Sequence, residues 1–333
     1  MTLRVTRFDD VFITGTAAHL PLTRLTTLAL AEELGVAAAE LVRLTGVTER
    51  RVAPPEHATS DLIVAALGPL VTPDIASDID RLIVATVTPD HPSPATAPLV
   101  QHRLGLPQIP AYDLAAACAG FVYALDSAAR GLVTGDRAVL VGAGECRVRT
   151  LARAAPGVSV LFGDGAAGAR LARTPTGLRL VATGLGADGS GHAAVRVPAG
   201  GSRLPTSEAT VAAGLHALAM EDGAHVFMKA TESFVALADD FLASLGLGLA
   251  DVALVVPHQP NVRILERVAR LLRLPRERLV ITCDTLGNIG GASAAVALDL
   301  AWRQGRIAPG DKVLLLTAGA GYTAGAALLE AVA

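Results

Sequence analysis

A unit of strand, small-residue turn and long helix occurs twice in this chain, once in each half. In the first half the apolar approach Asp113-Leu-Ala-Ala-Ala-Cys-Ala-Gly-Phe121 runs into a helical pattern over Phe121–Thr134. In the second half Cys283-Asp-Thr-Leu-Gly-Asn-Ile-Gly-Gly-Ala-Ser293 runs into a helical pattern over Ala292–Gln304. Each half then closes with a Gly-rich turn between two strands, Phe162–Gly168 and Ala318–Gly325. This repetition divides the chain into residues 1–175, carrying a central cysteine, and 176–333, carrying a His and an Asn.

Between these units, strand-length apolar runs alternate with helical patterns. Strands are predicted at Val11–Thr14, Arg81–Thr86, Arg137–Gly142, Gly168–Ala172, Leu178–Ala182, Val252–Val256 and Lys312–Thr317. Helices are predicted at Thr27–Leu34, Ala95–Leu104, Val226–Leu245 and Val262–Leu272. Such alternation predicts an α/β protein with buried, largely parallel sheets. The polar, Gly- and Pro-rich stretch Gly184–Ser207 is predicted to be a long loop.

With 51% hydrophobic and 18% charged residues the chain can bury a large core, which excludes a disordered protein. A net charge of −3 argues against broad nucleic-acid binding. The apolar runs are strand-length, so no membrane span is expected. Cys118, Cys146 and Cys283 lie far apart, with no C-x-x-C pair and no zinc spacing. No metal is therefore expected. The acidic residues at Asp9 and Asp10 interrupt any signal-peptide pattern, and an odd cysteine count suits a reducing compartment, so a cytoplasmic location is expected.

Cys118 is placed where a helix begins. There the positive end of the helix dipole would favour thiolate over thiol. A lone cysteine among alanines is also a small buried hydrophobe. His258 follows the apolar run Val255-Val-Pro, at a strand end. Asn288 sits in a Gly-rich turn, a position that by itself suits an N-cap. Together the three point to thioester chemistry. The thiolate takes an acyl group. A neutral His and an Asn amide donate to a second thioester's carbonyl and stabilise the enolate left when a malonyl group loses carbon dioxide.

These residues carry a resemblance. The order Ile13–Pro21, Thr45-Gly-Val-Thr-Glu-Arg50, Asp113–Phe121, Phe162-Gly-Asp-Gly165, Pro257-His-Gln259, Gly287-Asn288 and the terminal Gly-rich turn resembles the β-ketoacyl-acyl-carrier-protein synthase III family of the thiolase superfamily. The resemblance implies a duplicated five-layer α-β-α-β-α fold and a homodimer. It implies that Cys118 is the nucleophile, that His258 and Asn288 are the donor pair, and that the amides of Cys118 and Ala320 form an oxyanion hole. It also implies a substrate pocket at Ser93, Phe227 and Gly321, with Ser93 reaching the partner's pocket. A Phe is common at the Ser93 position, so an acyl group larger than acetyl is expected. The substrates would be acyl thioesters in fatty-acid or polyketide biosynthesis, with no cofactor held.

Two departures bear on the acyl donor. Family members that use coenzyme A clamp its adenine between an aromatic and an Arg, but the matching positions here are Glu40, Leu44 and Pro156. The head group could instead meet Arg147, Arg149 or Arg153. An acyl carrier protein is the favoured donor. Arg263, Arg267 and Arg270 share one face of the helix after His258 and suit an acidic carrier, with Arg273 extending the cluster and Ile264, Leu265, Val268 and Leu271 on the apolar face.

The residues leave competing readings open. The same fold could pass the Cys118-bound acyl group to an alcohol or amine, without needing Asn288. A non-catalytic partner subunit would be expected to lack the cysteine. A nucleotide site at Gly319-Ala-Gly321 fails, because the third Gly is misplaced and too little chain follows. Cys146 and Cys283 are read as structural.

Overall fold

The computed structural model describes residues 2–151 and 156–332. Arg153 and the side chain of Pro156 lie outside the described residues.

The main sheet contains β1 (Arg4–Arg7), β2 (Phe12–His19), β3 (Ile79–Ala85), β4 (Ala111–Leu114) and β5 (Ala138–Glu145) from the earlier part of the chain. It continues with β6 (Gly165–Ala172), β7 (Leu178–Ala187), β8 (Leu254–Pro257), β9 (Lys312–Gly319) and β10 (Thr323–Ala331). The five longer packing helices are α1 (Thr59–Leu67), α2 (Gly120–Val133), α3 (Gly223–Ser244), α4 (Val262–Leu271) and α5 (Ser293–Arg303).

Strand order is β8-β9-β10-β7-β2-β6-β5-β3-β4, with β1 on the edge of β7. The expectation of largely parallel sheets is corrected. Among the described strands β3/β4, β3/β5 and β8/β9 pair in parallel, while β5/β6, β2/β6, β9/β10, β7/β10 and β1/β7 are antiparallel. For β9 and β10 the reason is local: only Ala320–Tyr322 separates them, too short for a crossover, so β10 must return antiparallel. Strand β6 also returns antiparallel to β5, after the longer connection from Cys146 to Asp164. The two halves of the sheet join where Phe12 faces Arg179 and Ile13 faces Leu178.

Alternation along the strands builds the layers. In β3, Ile83 and Ala85 face α2 and α5, while Leu82 and Val84 face α1. In β9, Val313 and Leu315 face the same central helices, while Leu314 and Leu316 face α3 and α4. Helices α2 and α5 are thus packed between two sheet halves, with α1 outside one and α3 and α4 outside the other. This is the five-layer α-β-α-β-α thiolase arrangement. A backbone bridge between Val255 and Leu279 lies beside β8 as β4 lies beside β3, so the two halves repeat one topology.

The segment expected to form a loop from Gly184 instead stays in β7 to Ala187. Beyond it comes a small ribbon, Val195–Arg196 against Ala219–Met220.

Candidate active site

The parallel strands deliver their chemistry at their carboxyl ends, where crevices of α/β sheets open. Strand β4 leads to Cys118, β5 ends at Glu145, β8 leads to His258 and β9 leads to Ala320. Cys118, His258, Asn288, Ala320, Gly321 and Phe227 all line one cavity of about 530 Å³. That volume is in the range of ordinary small-ligand sites.

Cys118 lies in a short 3-10 turn, Ala117–Ala119, just before α2, and not in the first turn of α2 itself. Ala117 takes φ of 47°, a strained left-handed conformation for a residue with a Cβ. The expected stabilisation of thiolate is corrected. Burial first, and then the negative charge of Glu145, push the Cys118 thiol up to about 12, with Arg147 opposing. Desolvation at the cavity floor outweighs a dipole worth a fraction of that. The resting group is a thiol.

His258 continues β8, its amide donating to the Leu316 carbonyl at 2.7 Å. Burial lowers its pKa to about 3, with the Gly290 backbone opposing, so the imidazole is neutral. Its Nδ1 is buried without a hydrogen-bond partner among the described residues. Beside it, Gln259 is fully committed. Its Nε2 donates to the Pro257 and Val280 carbonyls, and its Oε1 accepts from the amides of Thr282 and Cys283.

Asn288 is oriented by its oxygen. Oδ1 accepts from the Gly290 amide at 2.8 Å and from the Ser293 hydroxyl at 3.4 Å. The carboxamide NH2 is left as the donor available to the cavity. The backbone is clamped as well: the Asn288 amide donates to the Leu161 carbonyl at 2.7 Å, and its carbonyl accepts from Gly163 at 3.0 Å. Only glycine fits at 163, because a Cβ would stand 2.2 Å from the Leu286 carbonyl oxygen.

The final Gly-rich turn packs against the cysteine. A Cβ on Gly319 would lie 2.7 Å from the Cys118 amide nitrogen, so the backbone before Ala320 is drawn up to that amide. Other motif residues are framework. Arg50 is fully buried, donating to the Leu25 and Val160 carbonyls and the Thr27 hydroxyl. Asp164 accepts from the amides of Ala53 and Val148.

Several expected contacts fall elsewhere. Ser93 is exposed and does not line the cavity of its own chain. Arg263 is not free for docking: it donates to the carbonyls of Arg43 and Val42 and pairs with Glu266 at 3.0 Å. Arg267, Arg270 and Arg273 are exposed, whereas Leu271, placed on the apolar face, is 54% exposed. Glu40 is exposed and 3.9 Å from Arg43, and Leu44 lines the cavity mouth. Arg149 is tied to the carbonyls of Pro54 and Pro55. Arg147, considered for a head group, is instead buried in the cavity wall. Glu145, near the thiol, was not among the expected site residues, and Arg147 was expected only as an alternative head-group contact. Charged residues directly after a wholly apolar strand were the available signal.

Residues 112–189 match the family described as 3-oxoacyl-[acyl-carrier-protein (ACP)] synthase III, and residues 242–331 match its C-terminal part. A β-ketoacyl-[acyl-carrier-protein] synthase III of Caldanaerobacter subterraneus is 39% identical, over 93% of this chain and 95% of that protein. A 3-oxopimeloyl-[acyl-carrier-protein] synthase of Rhodothermus marinus is 40% identical, over 96% of this chain and 93% of its own. Among solved structures, 3-oxoacyl-(acyl carrier protein) synthase III of Pseudomonas aeruginosa superposes with a TM-score of 0.89 at 33% identity, covering 98% and 99% of the two chains. With the fold, the cavity and these matches in agreement, the chain belongs to the β-ketoacyl-acyl-carrier-protein synthase III family.

Proposed function

We propose that this enzyme loads an acyl group on Cys118 and condenses it with a malonyl thioester, in fatty-acid synthesis. The observation that carries the reading is one cavity lined by a thiol, a neutral imidazole and a carboxamide whose oxygen is already occupied. In the first step the Cys118 sulfur bonds to the acyl carbon, the donor's thioester bond breaks, and the thiol proton leaves with the donor thiol. The amides of Cys118 and Ala320 would hold the oxyanion. In the second step the malonyl C–C bond breaks and carbon dioxide leaves. His258 and the Asn288 amide donate to the thioester oxygen of the resulting enolate. The enolate carbon then bonds to the acyl carbon, and the Cys118 sulfur departs and recovers a proton.

A neutral donor pair suits this step, since neither group needs to change charge as the enolate forms. The partner is read as an acyl carrier protein docking by Arg267 and Arg270 near the cavity mouth. The working unit is read as a homodimer in which the Thr88–Pro94 loop reaches the partner's cavity, and Phe227 and Gly321 shape the pocket. All three cysteines are free, which fits a reducing, cytoplasmic compartment. No helix among the described residues is long and apolar enough to cross a membrane.

The test is to acylate the enzyme, add malonyl carrier protein, and follow carbon dioxide and the β-keto product. Both are expected, and Cys118→Ala should lose acyl labelling. Acyl label passing to an alcohol or amine, without carbon dioxide, would replace condensation with simple acyl transfer.

A further inference from the structure

Arg147 is a buried cation whose guanidinium has no hydrogen-bonded partner among the described residues. Its side chain follows β5, is 7% exposed, and lines the cavity with Cys118, Val87 and Phe162. Its Nε is buried with no hydrogen-bond partner among the described residues. Among the described residues no ion pair or hydrogen bond reaches its guanidinium; only its backbone is bonded, the carbonyl accepting from the Thr150 amide and hydroxyl.

The neighbouring groups do not supply a counter-ion by hydrogen bonding. Glu145 is the nearest candidate by sequence, but it accepts from the Val87 amide and the Thr88 hydroxyl instead. Arg50, fully buried, shows the contrast, with its terminal nitrogens shared among three acceptors. A buried charge without a bonded partner is costly, and a cavity-facing one is stabilised when a ligand brings the opposite charge. The planar guanidinium fork matches a carboxylate.

Thioester substrates offer two carboxylates. One is the malonyl carboxylate, which must leave as carbon dioxide. Pairing it with a guanidinium would stabilise the ground state and oppose its loss. The other is a free carboxylate at the far end of the acyl group on Cys118. We propose that Arg147 binds this second carboxylate, so that the acyl group loaded on Cys118 is that of a dicarboxylic acid, attached through one carboxyl and recognised through the other. The inference rests on the condensing function above for its meaning, but not for its test. Burial raises the pKa of both Cys118 and Glu145, and the Arg147 charge opposes that rise at each, so Arg147 is close enough to act on the cysteine's surroundings.

The experiment compares glutaryl with its neutral isostere 5-methylhexanoyl, and succinyl and adipoyl with theirs. Each is offered as a coenzyme A and as a carrier-protein thioester. Loading on Cys118 is followed by intact-protein mass spectrometry in the wild type, Arg147→Leu and Arg147→Lys. At least one diacid group is expected to load about tenfold or more faster than its isostere in the wild type. Arg147→Leu should lose or reverse that ratio while still loading the neutral group, and Arg147→Lys should retain part of it. A ratio near one in the wild type, or a ratio unchanged by Arg147→Leu, overturns the proposal, as does failure of every diacid to load. Malonyl decarboxylation is measured separately on enzyme preloaded with the neutral group. Loss of that step in Arg147→Leu, with loading ratios intact, would assign Arg147 to the extender and overturn the proposal. Selective diacid loading without carbon dioxide release would sustain it while removing the condensation reading.

Discussion

Gly163 and Asn288, one from each half of the chain, are joined by a backbone hydrogen bond of 3.0 Å from the Gly163 amide to the Asn288 carbonyl. The bond belongs to a parallel bridge between Phe162 and Asn288. The first Gly-rich turn therefore positions the amide side chain of the second half. Gly163→Ala would place a Cβ 2.2 Å from the Leu286 carbonyl oxygen and 3.1 Å from the Arg50 Cβ, both in rigid surroundings. The variant is expected to lose about 1–3 kcal/mol of stability from overpacking. Because the displaced backbone carries Asn288 and not Cys118, malonyl decarboxylation should fall more than acyl loading. Urea unfolding and single-turnover measurements of the two steps check this.

The thiol is set by two opposed charges within a buried site. Glu145 raises the Cys118 pKa and Arg147 lowers it, while burial is the largest cause of its rise to about 12. Below that value the alkylation rate follows the thiolate fraction. Glu145→Gln removes a negative charge, so iodoacetamide should modify Cys118 roughly three- to tenfold faster at pH 8, and Arg147→Leu should slow it by a similar factor. Equal rates in all three proteins would remove the charges from the account. The Cys118→Ala variant supplies the background from Cys146 and Cys283.

What the sequence made legible follows its physics. Helix α4 was expected at Val262–Leu272 and runs Val262–Leu271, because Asn261 caps it and the apolar spacing is helical. Cys118 and His258 were legible because each follows an apolar run, and Asn288 because it stands in a Gly-rich turn. The direction of β6 and β10 was not legible, since an apolar run does not state which way its neighbour runs. The state of the thiol was also hidden. It depends on Glu145 and Arg147, distant in sequence, and on burial from both halves. Arg263 looked free for the same reason: its partners, the carbonyls of Val42 and Arg43, are more than two hundred residues away.

His258 makes folding depend on pH. Its folded pKa, about 3, lies below the ordinary value of 6.5. Between those values the unfolded chain binds a proton that the folded chain excludes. Stability from this group is therefore full above 6.5 and declines as pH falls toward 3. At pH 4.5 the loss attributable to His258 is about 2–3 kcal/mol. His258→Gln keeps a polar side chain but does not titrate. The stability difference between wild type and variant, from urea unfolding, should shift against the wild type by that amount between pH 7 and 4.5. A difference constant with pH would mean that the imidazole is not held neutral by burial.

The basic face of α4 divides into two kinds of arginine. Arg267 and Arg270 are exposed, whereas Arg263 is bonded to the Val42 and Arg43 carbonyls, in the last turn of a helix at Ala38–Thr45, and to Glu266. An acidic carrier protein attracted to this face would meet the first two. Arg267→Glu with Arg270→Glu is expected to weaken carrier-protein binding about tenfold or more, with a steep loss of the remaining affinity as salt rises, and to leave stability within about 0.5 kcal/mol. Arg263→Ala should behave in the opposite way. It removes donors to two carbonyls, so it should cost about 1 kcal/mol of stability and change carrier affinity only slightly. Titration with a carrier protein at two salt concentrations, beside urea unfolding, separates the two. If Arg263→Ala weakened the carrier as much as the charge reversal while leaving stability unchanged, its bonds to Val42 and Arg43 would not hold in solution, and the docking face would extend to the cavity mouth at Leu44.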